Sequence, residues 1–540
     1  MMSRVPRLLT LALAAALIVA SCAGSPATTS PGGSASPATD GSPSDGSSSS
    51  PTWTPAPTVP ELTASPTPLP ASGSVPLALV TGFKNYKVNG LTLAQLRTYL
   101  RAGKVLVPCG TVEAVQAAVG ASNTEGWAAC QQVDRIAGLI SAGSGKLALL
   151  PPGLVSVKMK AVPLDGADLF GESPAREKPY PLTVDAPTGW KASWAAYDAD
   201  EIRVVLTTGC TCPDRGVSYQ TNTLKKGWDW LLGAGTAKYT GRHWDGRLDW
   251  WVVDAVRTGN AGAVHRLIRD ADIAVSDFEC AMTSNFVQHN EGTLFTVDPK
   301  VATLMRKAGF DVATIATDHM TNAGTRGLLE TVDFFKKAGI KPVGGGKNLA
   351  EALKPAVIDV RGLKFAFVGF NAIGGSAYAG KSTPGVAQLT AANAKKAIDA
   401  ARKAGADVVF ALPQWSAVEY TNVMTGAERS LRDVLFKAGA DHVIGADHHW
   451  AAAISITPGG ASGNRYTTAS QGNFWFGQDW SRQTMEGVMT MLTFRGTKLV
   501  QARLIPTVVL DNAQVNLVDP ATDGQTVLNQ VLSKSEIKPK

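Results

Sequence analysis

The side chains best suited to chemistry lie in five short polar clusters, most of which follow an apolar run. In chain order they are 209–212 (Gly-Cys-Thr-Cys), 277–279 (Asp-Phe-Glu), 317–319 (Thr-Asp-His), 414–415 (Gln-Trp) and 445–449 (Gly-Ala-Asp-His-His). Side chains just past the C-terminal ends of strands in an α/β sheet converge on one crevice. The clusters therefore predict one polar crevice assembled from distant parts of the chain.

The carboxylate and imidazole groups of these clusters are the ligands that a water-activating metal needs. The candidates are Asp277, Glu279, Asp318, His319, Asp447, His448 and His449, with Cys210 or Cys212 as thiolate donors. Mixed oxygen and nitrogen donors favour Zn or Mn. Two adjacent histidines in an extended segment point to opposite faces, so at most one of His448 and His449 should face the crevice.

The segments around these clusters alternate between strand and helix patterns from residue 202 onward. We predict strands at 202–207, 273–275, 312–315, 365–370, 408–412 and 442–444, and helices at 264–270, 299–308, 328–338, 392–404 and 427–438. This alternation predicts an α/β fold with largely parallel strands. After residue 450, short runs at 453–456, 466–469, 488–494 and 499–504 predict hairpins that finish a second sheet.

A smaller α/β domain is predicted at 74–190. Helical spacing occurs at 91–101, 111–119 and 127–141, and short apolar runs at 104–107 and 147–150 predict strands. Cys109 and Cys130 lie close together in this domain, and a disulfide between them is the default expectation for an exported protein.

The first residues predict export to the cell surface. Arg4 and Arg7 precede an apolar stretch at 11–20, which is too short to remain as a membrane span. Residues 19–22 (Val-Ala-Ser-Cys) resemble a bacterial lipobox, which implies a signal peptide at 1–21, a lipid on Cys22 and a site on the extracytoplasmic face of the membrane. Ordinary secretion is the alternative. The Ser/Pro/Thr/Gly-rich stretch at 22–73 predicts a solvated tether.

The composition of the chain bears on its size class and on the kind of partner it can bind. The chain has 540 residues and an apolar fraction of 44%, which is enough for more than one folded region. Its net charge of +7 comes from 51 basic and 44 acidic residues that are spread along the chain without a basic block. A nucleic-acid partner is therefore not expected.

Several stretches resemble the CapA-type proteins of poly-gamma-glutamate capsule synthesis. They lie at 310–312, 318–319, 324–331, 338–346, 406–409, 438–445 and 472–474. The resemblance covers about 200–535 and implies a calcineurin-like metallophosphoesterase fold, which is a four-layer α/β/β/α sandwich. It also implies an anionic envelope polymer, such as poly-gamma-glutamate, as the partner. Hydrolysis of an amide or phosphoester bond by a metal-dependent site is the activity that this fold suggests.

The same resemblance assigns roles to particular residues. It places His449 at the last histidine of the family. Together with the donor types in the crevice, we therefore predict Asp277, Asp318, His319, Asp447, His449 and Cys210 as the metal-site residues. The chain differs from the family at Cys210 and Gln414, where the family has Asp and His. It also differs at Asp277 and Asp318, where the family has Asn. His319 and Glu279 are the candidates for proton transfer. The alternatives are a backbone-bonded buried His319 and a helix-capping Glu279.

Two further expectations concern the remaining cysteines and an aromatic stretch. A disulfide from Cys280 to Cys210 or Cys212 is favoured over thiolate ligation. Exposed Trp244 and Arg242 would contact a polymer, although tryptophans in this stretch more often pack into a core.

The first domain, through 91–97, 148–152 and 180–182, resembles part of a phosphate-type periplasmic binding protein. A non-catalytic polymer- or solute-binding lipoprotein with a degenerate metal site is the alternative function.

Overall fold

The computed structural model describes residues 74–246 and 249–538. The predicted signal peptide, the lipidation site Cys22 and the predicted tether lie outside these residues. The described residues belong to one compact unit. None of the described helices combines the length and the apolar character needed to cross a bilayer.

The first part of the described chain forms a small four-stranded sheet with helices beside it. The sheet order is β3-β4-β2-β5, and β1 pairs with β6 separately. The strands are β1 (Ser74–Pro76), β2 (Ala78–Gly82), β3 (Val105–Leu106), β4 (Leu147–Leu150), β5 (Met159–Ala161) and β6 (Thr183–Asp185), and the helices are α1 (Leu93–Arg101), α2 (Val112–Ala118), α3 (Val133–Ser141) and α4 (Ser173–Arg176).

Helix α3 begins later than the predicted start at residue 127. The preceding residues form an extended segment, in which Gln131 N donates to Val107 O (3.1 Å) and Cys109 N donates to Gln131 O (2.9 Å). Cys109 and Cys130 form the predicted disulfide beside these bonds, with their Cα atoms 4.9 Å apart. The disulfide and the backbone pairing keep this segment out of the helix.

The described residues after 190 supply twenty more strands. They are β7 (Ile202–Thr211), β8 (Thr236–Asp245), β9 (Trp250–Gly259), β10 (Ile273–Phe278), β11 (Ala281–Met282), β12 (Thr296–Val297), β13 (Val312–Thr314), β14 (Lys341–Val343), β15 (Gly345–Gly346), β16 (Ala356–Val360), β17 (Leu363–Asn371), β18 (Gly385–Val386), β19 (Val408–Gln414), β20 (His442–Ile444), β21 (Ile454–Pro458), β22 (Asn464–Thr468), β23 (Glu486–Arg495), β24 (Lys498–Leu510), β25 (Gln514–Val518) and β26 (Glu536–Ile537).

Ten α-helices accompany these strands. They are α5 (Ala192–Ala195), α6 (Arg215–Ser218), α7 (Ala263–Asp270), α8 (Lys300–Ala308), α9 (Gly324–Ala338), α10 (Leu349–Ala352), α11 (Ala391–Lys403), α12 (Gly426–Ala438), α13 (Arg482–Met485) and α14 (Gly524–Leu532). Helix α12 begins with a capping box, because Thr425 accepts from Glu428 N while the Glu428 side chain bonds back to Thr425 N.

Two large sheets carry the polar clusters. The first has nine strands in the order β14-β13-β10-β7-β23-β24-β25-β8-β9, and its first four strands are parallel. The second has seven strands in the order β16-β17-β19-β20-β22-β21-β26, with β17, β19, β20 and β22 parallel. In both sheets the parallel strands end at the edge where the clusters lie, as expected for a site built from strand ends.

The two sheets pack face to face, and helices cover their outer faces. Val205 and Val275 of the first sheet share a buried core with Phe367 and Phe410 of the second. Helices α7, α8 and α9 pack on the outer face of the first sheet, and α11 and α12 pack on that of the second. The predicted mixed α/β fold is confirmed.

The prediction that all late hairpins finish the second sheet is wrong for one of them. Strands β21 and β22 do extend the second sheet. Strands β23 and β24 instead pair with each other and with β7 of the first sheet. Alternating patterns identify strands but not their partners, and the apolar residues of β23 fit the same inter-sheet core as β7.

The small first sheet packs against β24. Tyr86 Oη accepts from Leu504 N (3.0 Å), and Arg503 pairs with the buried carboxylate of Asp168. Thr493 Oγ1 also donates to Phe170 O (2.8 Å). The predicted boundary near residue 190 and the resemblance of 74–190 to a periplasmic binding protein stay predictions.

Removal of the first disulfide gives a stability test. The Cys109→Ser, Cys130→Ser double variant should lose about 3 kcal/mol of unfolding free energy, because the bridge closes a loop of 21 residues in the unfolded chain. Urea denaturation of the oxidised protein measures the loss. An unchanged denaturation midpoint would contradict a stabilising role for this bridge.

Candidate functional site

A bulge between β7 and β10 places the first two clusters side by side. The pairing register shifts between Ser276 and Asp277, so that Cys210 stands opposite Asp277. Gly209 is the extra residue, and a Cβ atom there would lie 2.0 Å from Gly472 O. Only glycine fits this close approach. The bulge turns Cys210 toward the carboxylates that follow β10.

Glu279 is the centre of a buried hydrogen-bond network. Glu279 is only 2% exposed to solvent. Cys210 Sγ donates to Glu279 Oε2 (2.6 Å), and Gln414 Nε2 donates to Glu279 Oε1 (2.9 Å). These bonds come from strand ends rather than from a helix N-terminus, so the helix-capping alternative for Glu279 is wrong.

Gln414 connects Glu279 to the next cluster. Its Nε2 also donates to Asp318 Oδ1 (2.9 Å), and its Oε1 accepts from Asp318 N (2.6 Å). The sequence predicted only that Gln414 replaces a histidine of the family. In the structure, the neutral Gln414 amide lies between the carboxylates of Glu279 and Asp318 and donates a hydrogen bond to each.

His319 lies beside Asp318 at the more open side of the crevice. Its Nε2 is 3.4 Å from Asp318 Oδ2, and both side chains are about one quarter exposed. Its Nδ1 is 3.0 Å from Asn322 Oδ1, and its ring packs edge-to-face on Phe295 at 4.6 Å. His319 bonds to a side chain rather than to the backbone, so the backbone-bonded alternative is wrong.

The two adjacent histidines diverge as expected. His448 is fully buried, with Nδ1 2.8 Å from Thr421 O and Nε2 paired with Glu428. His449 turns toward the crevice, and its Nδ1 lies 2.9 Å from Asn473 Oδ1, which leaves Nε2 as its free ligand atom. Asp447 and His449 have φ angles of 103° and 49°, so the loop reverses sharply around His448.

Two groups of side chains in the described residues can hold a metal ion. Cys210, Glu279 and His449 form one, and Glu279, Asp318 and Asp447 form the other; within each group the ligand atoms lie within 4.8 Å of one another. Four of the six predicted metal-site residues, Cys210, Asp318, Asp447 and His449, belong to these groups. A fifth, His319, lies next to Asp318. Asp277, the sixth, belongs to neither group.

Asp277 lies between the two sheets, outside the two groups. It lines a small cavity with Thr207, Thr314 and Gln471. On β10, Asp277 lies two residues after Val275 and therefore on the same strand face, which points toward the second sheet. Thr207 and Thr314 are related in the same way to Val205 on β7 and Val312 on β13. Asp277 is thus a neighbour of the ligand groups rather than a member of them.

The crowding of buried acids shifts their protonation. Burial, and then the charge of Asp318, raises the pKa of Asp277 to about 7. Burial and the neighbouring charges of Asp277 and Asp318 raise the pKa of Glu279 well above its usual value. Burial and the charge of Glu279 do the same for the pKa of Asp447. Like charges in a low-dielectric site cannot all ionise without a neutralising partner.

Other groups in the crevice respond to the same environment. Burial raises the pKa of the Cys210 thiol, and the charges of Glu279 and Asp277 add to the effect. Burial lowers the pKa of His449, which favours the neutral, metal-binding imidazole.

The residues present fit a divalent cation. Both carboxylate oxygens of Asp277 and Oδ2 of Asp447 are buried and have no hydrogen-bond partner in the part of the chain that the structure describes. An unpartnered buried carboxylate oxygen is costly, and a bound cation satisfies it. The donor set of carboxylates, one imidazole and one thiol suits a divalent ion, but it does not identify the metal.

The remaining cysteines pair as Cys212 with Cys280, and Cys210 is free. Of the two partners predicted for Cys280, the structure selects Cys212. This bridge ties the end of β7 to the residue after Glu279. It therefore holds Cys210 and Glu279 in neighbouring positions.

Trp244 and Arg242 lie on the hairpin formed by β8 and β9, away from the two ligand groups. Trp244 is 47% exposed and packs on Trp251 at 5.5 Å, and the Arg242 guanidinium lies 4.6 Å over the Trp251 ring. The core-packing alternative is wrong for these hairpin tryptophans but holds for Trp228 and Trp230. This hairpin was not predicted from the sequence, although Asp-Gly at 245–246 is a turn signal between two β-rich runs.

The pH dependence of stability tests the clustering of acids. The pKa of Asp277 in the folded protein, about 7, exceeds its ordinary value of 3.8. Its stabilising contribution is therefore complete below about pH 4 and is lost as the pH rises through 7. In the metal-free protein, Asp277→Asn should match the wild type at low pH and become more stable than it at pH 8.

Thermal unfolding in the presence of a chelator, between pH 4 and pH 8, measures this difference. Asp333→Asn, an exposed change on α9, is the matched control and should follow the wild type. A constant offset between Asp277→Asn and the wild type across this pH range would contradict the proposed charge crowding.

Sequence comparison shows that part of the chain is similar to a family of capsule synthesis proteins. Residues 239–478 match the family "Bacterial capsule synthesis protein PGA_cap". Capsule biosynthesis protein CapA of Bacillus anthracis is 27% identical over 223 residues, covering 40% of this chain and 53% of the relative. PGA biosynthesis protein CapA of Bacillus subtilis (strain 168) is 28% identical over 223 residues, covering 41% and 57%. The chain thus spans little more than half the length of these curated relatives.

Structural comparison finds phosphoesterases, but at low similarity. NAD nucleotidase of Haemophilus influenzae has a TM-score of 0.32 at 11% identity and covers 63% of this chain and 57% of its own. The calcineurin-like phosphoesterase YfkN of Bacillus subtilis has a TM-score of 0.29 at 15% identity and covers 61% and 98%. Scores this low carry no argument about function. The sequence match makes residues 239–478 similar to the bacterial capsule synthesis family PGA_cap.

Proposed function

We propose that this chain is a surface-anchored lipoprotein of the capsule-synthesis type that handles or hydrolyses an anionic envelope polymer. Poly-gamma-glutamate is the first candidate, because the printed names of the matched relatives concern capsule and PGA biosynthesis. The observation that carries the proposal is the group of Glu279, Asp318 and Asp447, with Cys210 and His449 beside it. Most of this group lies within the stretch that matches the capsule family.

We assign the fold to the calcineurin-like metallophosphoesterase type. Support comes from two packed sheets with helices on both outer faces and from polar residues at the shared strand-end edge. In such an arrangement the crevice opens at the C-terminal ends of the parallel strands. The polymer would reach the ligand groups from that edge.

Glu279, Asp318, Asp447 and His449 would hold the metal ion, with Cys210 adjacent. Zn and Mn remain the candidates from the donor types. When bound, a divalent ion supplies charge that polarises an amide or phosphoester group. Asp277, behind the ligand groups, would adjust the total negative charge of the site through its protonation.

His319 is the better placed of the two candidates for proton transfer. Its Nδ1 faces Asn322 Oδ1, so the ring is oriented and Nε2 can take or give a proton at the substrate. Both oxygens of Glu279 already accept hydrogen bonds, from Cys210 and Gln414. Glu279 is therefore assigned to metal binding, and His319 to the proton.

A non-catalytic binding lipoprotein is the second candidate function. One observation favours it: Gln414 satisfies Glu279 and Asp318 by hydrogen bonds without any metal. In that case the crevice would recognise polymer or solute groups and would perform no bond cleavage. Trp244 and Arg242 remain predicted polymer contacts under either function.

Metal content and hydrolysis together separate the two functions. The full chain should bind stoichiometric metal, measured by elemental analysis. It should also cleave poly-gamma-glutamate or a phosphoester polymer, which is measured as a decrease in the length of the polymer chains. Asp447→Asn should lose metal, because it removes a ligand whose oxygen has no other partner. His319→Ala should keep the metal and lose activity by roughly 10²- to 10⁴-fold.

The exposed change Asp333→Asn is the control and should alter neither property. A protein that lacks stoichiometric metal, and whose polymer interactions are indifferent to Asp447→Asn and His319→Ala, would leave only the binding function.

The anchor has its own test. We propose that Cys22 carries the lipid and holds the protein on the extracytoplasmic face of the membrane. Cys22→Ala should move the protein from the membrane fraction to the medium, as followed by immunoblotting of both. Continued retention in the membrane fraction would contradict the lipid anchor.

A further inference from the structure

Exposed apolar side chains lie next to the crevice. Trp250, near the end of the hairpin, is 37% exposed, and Tyr420 is 40% exposed. Val418 and Val423, which flank Tyr420 in the chain, are 50% and 38% exposed. A group of large exposed apolar side chains beside a polar crevice marks a binding surface.

Aromatic contacts make this surface continuous with the ligand groups. Trp250 packs on Trp450 with ring centroids 5.7 Å apart. Trp450 lies 6.4 Å from Tyr420, and Tyr420 lies 6.1 Å from the ring of His449. We call Trp250, Trp450 and Tyr420 the aromatic path. It leads from the hairpin to a metal-ligand candidate.

The hairpin presents its tryptophans on two faces. Trp244 and Trp251 stand opposite each other and their rings touch, so they share one face. Neighbouring residues of a strand point to opposite faces, so Trp250 projects from the other face, where it contacts Trp450. The aromatic path is therefore distinct from the Trp244 and Trp251 pair.

The charges beside the aromatic path are mostly negative. Glu419 precedes Tyr420 and hydrogen-bonds to it, and Asp447 lies two residues before His449. The cation that interacts with Tyr420 is Arg215, whose guanidinium lies 4.6 Å over Phe295 and 5.7 Å over Phe476. A polymer with a carboxylate on every unit would meet more acidic groups than cations here.

A sugar chain fits these features better. The faces of sugar rings expose C–H groups that pack on aromatic rings, and sugar hydroxyls donate hydrogen bonds to carboxylates such as Glu419. A widely spaced acidic group on the chain would pair with Arg215. Poly-gamma-glutamate offers no rings and carries a charge on every residue.

We infer that the aromatic path binds an anionic glycan. The sugar rings of the glycan would pack on Trp250, Trp450 and Tyr420, and one of its acidic groups would pair with Arg215. This inference rests on the proposed polymer-handling function and specifies its substrate class. The glycan chain would run along the path and enter the crevice beside His449.

Binding of defined polymers to the full chain tests the inference. The probes are three anionic glycans with one carboxylate on every second sugar, namely hyaluronan, heparosan and unsulfated chondroitin, with poly-gamma-glutamate of matched length as the polymer without rings. At least one glycan should bind about tenfold more tightly than poly-gamma-glutamate, measured by calorimetry. Trp250→Ala and Tyr420→Ala should each weaken that binding by about tenfold.

Leu139→Ala is the control, since it removes an apolar side chain that is 40% exposed on α3, outside the aromatic path, and it should leave glycan affinity unchanged. Retention of bound metal in Trp250→Ala shows that the ligand groups are intact. The inference is overturned if none of the three glycans binds, if poly-gamma-glutamate binds best, or if Leu139→Ala weakens binding as much as Trp250→Ala.

These outcomes also separate the two proposals. Tight binding of poly-gamma-glutamate alone would overturn the glycan inference and leave the proposed function standing. A metal-loaded protein that binds none of the four polymers would count against both.

Discussion

Four carboxylates lie together where the two sheets meet, three of them buried and Asp318 about one quarter exposed, and the rest of the site depends on how their charge is balanced. Glu279, Asp447 and Asp277 are almost fully buried, and Asp277 lies between the sheets. Burying one unpaired carboxylate already costs several kcal/mol. A group of them can persist only with bound protons, hydrogen-bond donors or a cation, and the structure supplies too few donors for all of their oxygens.

The surrounding structure holds the acids together despite their repulsion. The Cys212–Cys280 bridge joins the strand ends that carry Cys210 and Glu279. The Gln414 amide lies between Glu279 and Asp318. Behind the last cluster, the buried pair of His448 and Glu428 fixes the loop to the start of α12. These ties come from both sheets, so the packing of the two sheets determines the geometry of the site.

The sequence allowed the parallel half of each sheet to be predicted, because helices and strands there alternate with strong periodicity. It also predicted that the polar clusters would meet, since strand ends share an edge. Partners of the late strands were not predictable, because pairing depends on tertiary packing rather than on local pattern. The role of Gln414 was hidden for the same reason: an amide looks like a lost ligand until its two carboxylate partners are known.

The pattern of substitutions favours a retained cation over a decayed site. Relative to the family that the chain resembles, Cys210 and Gln414 remove one carboxylate and one imidazole, while Asp277 and Asp318 replace neutral amides with carboxylates. A crevice that had lost its metal would gain stability by losing buried acids, because each one is costly to ionise without a partner. This crevice holds several acidic side chains close together, and three of its buried carboxylate oxygens have no hydrogen-bond donor among the described residues. A bound cation accounts for both observations.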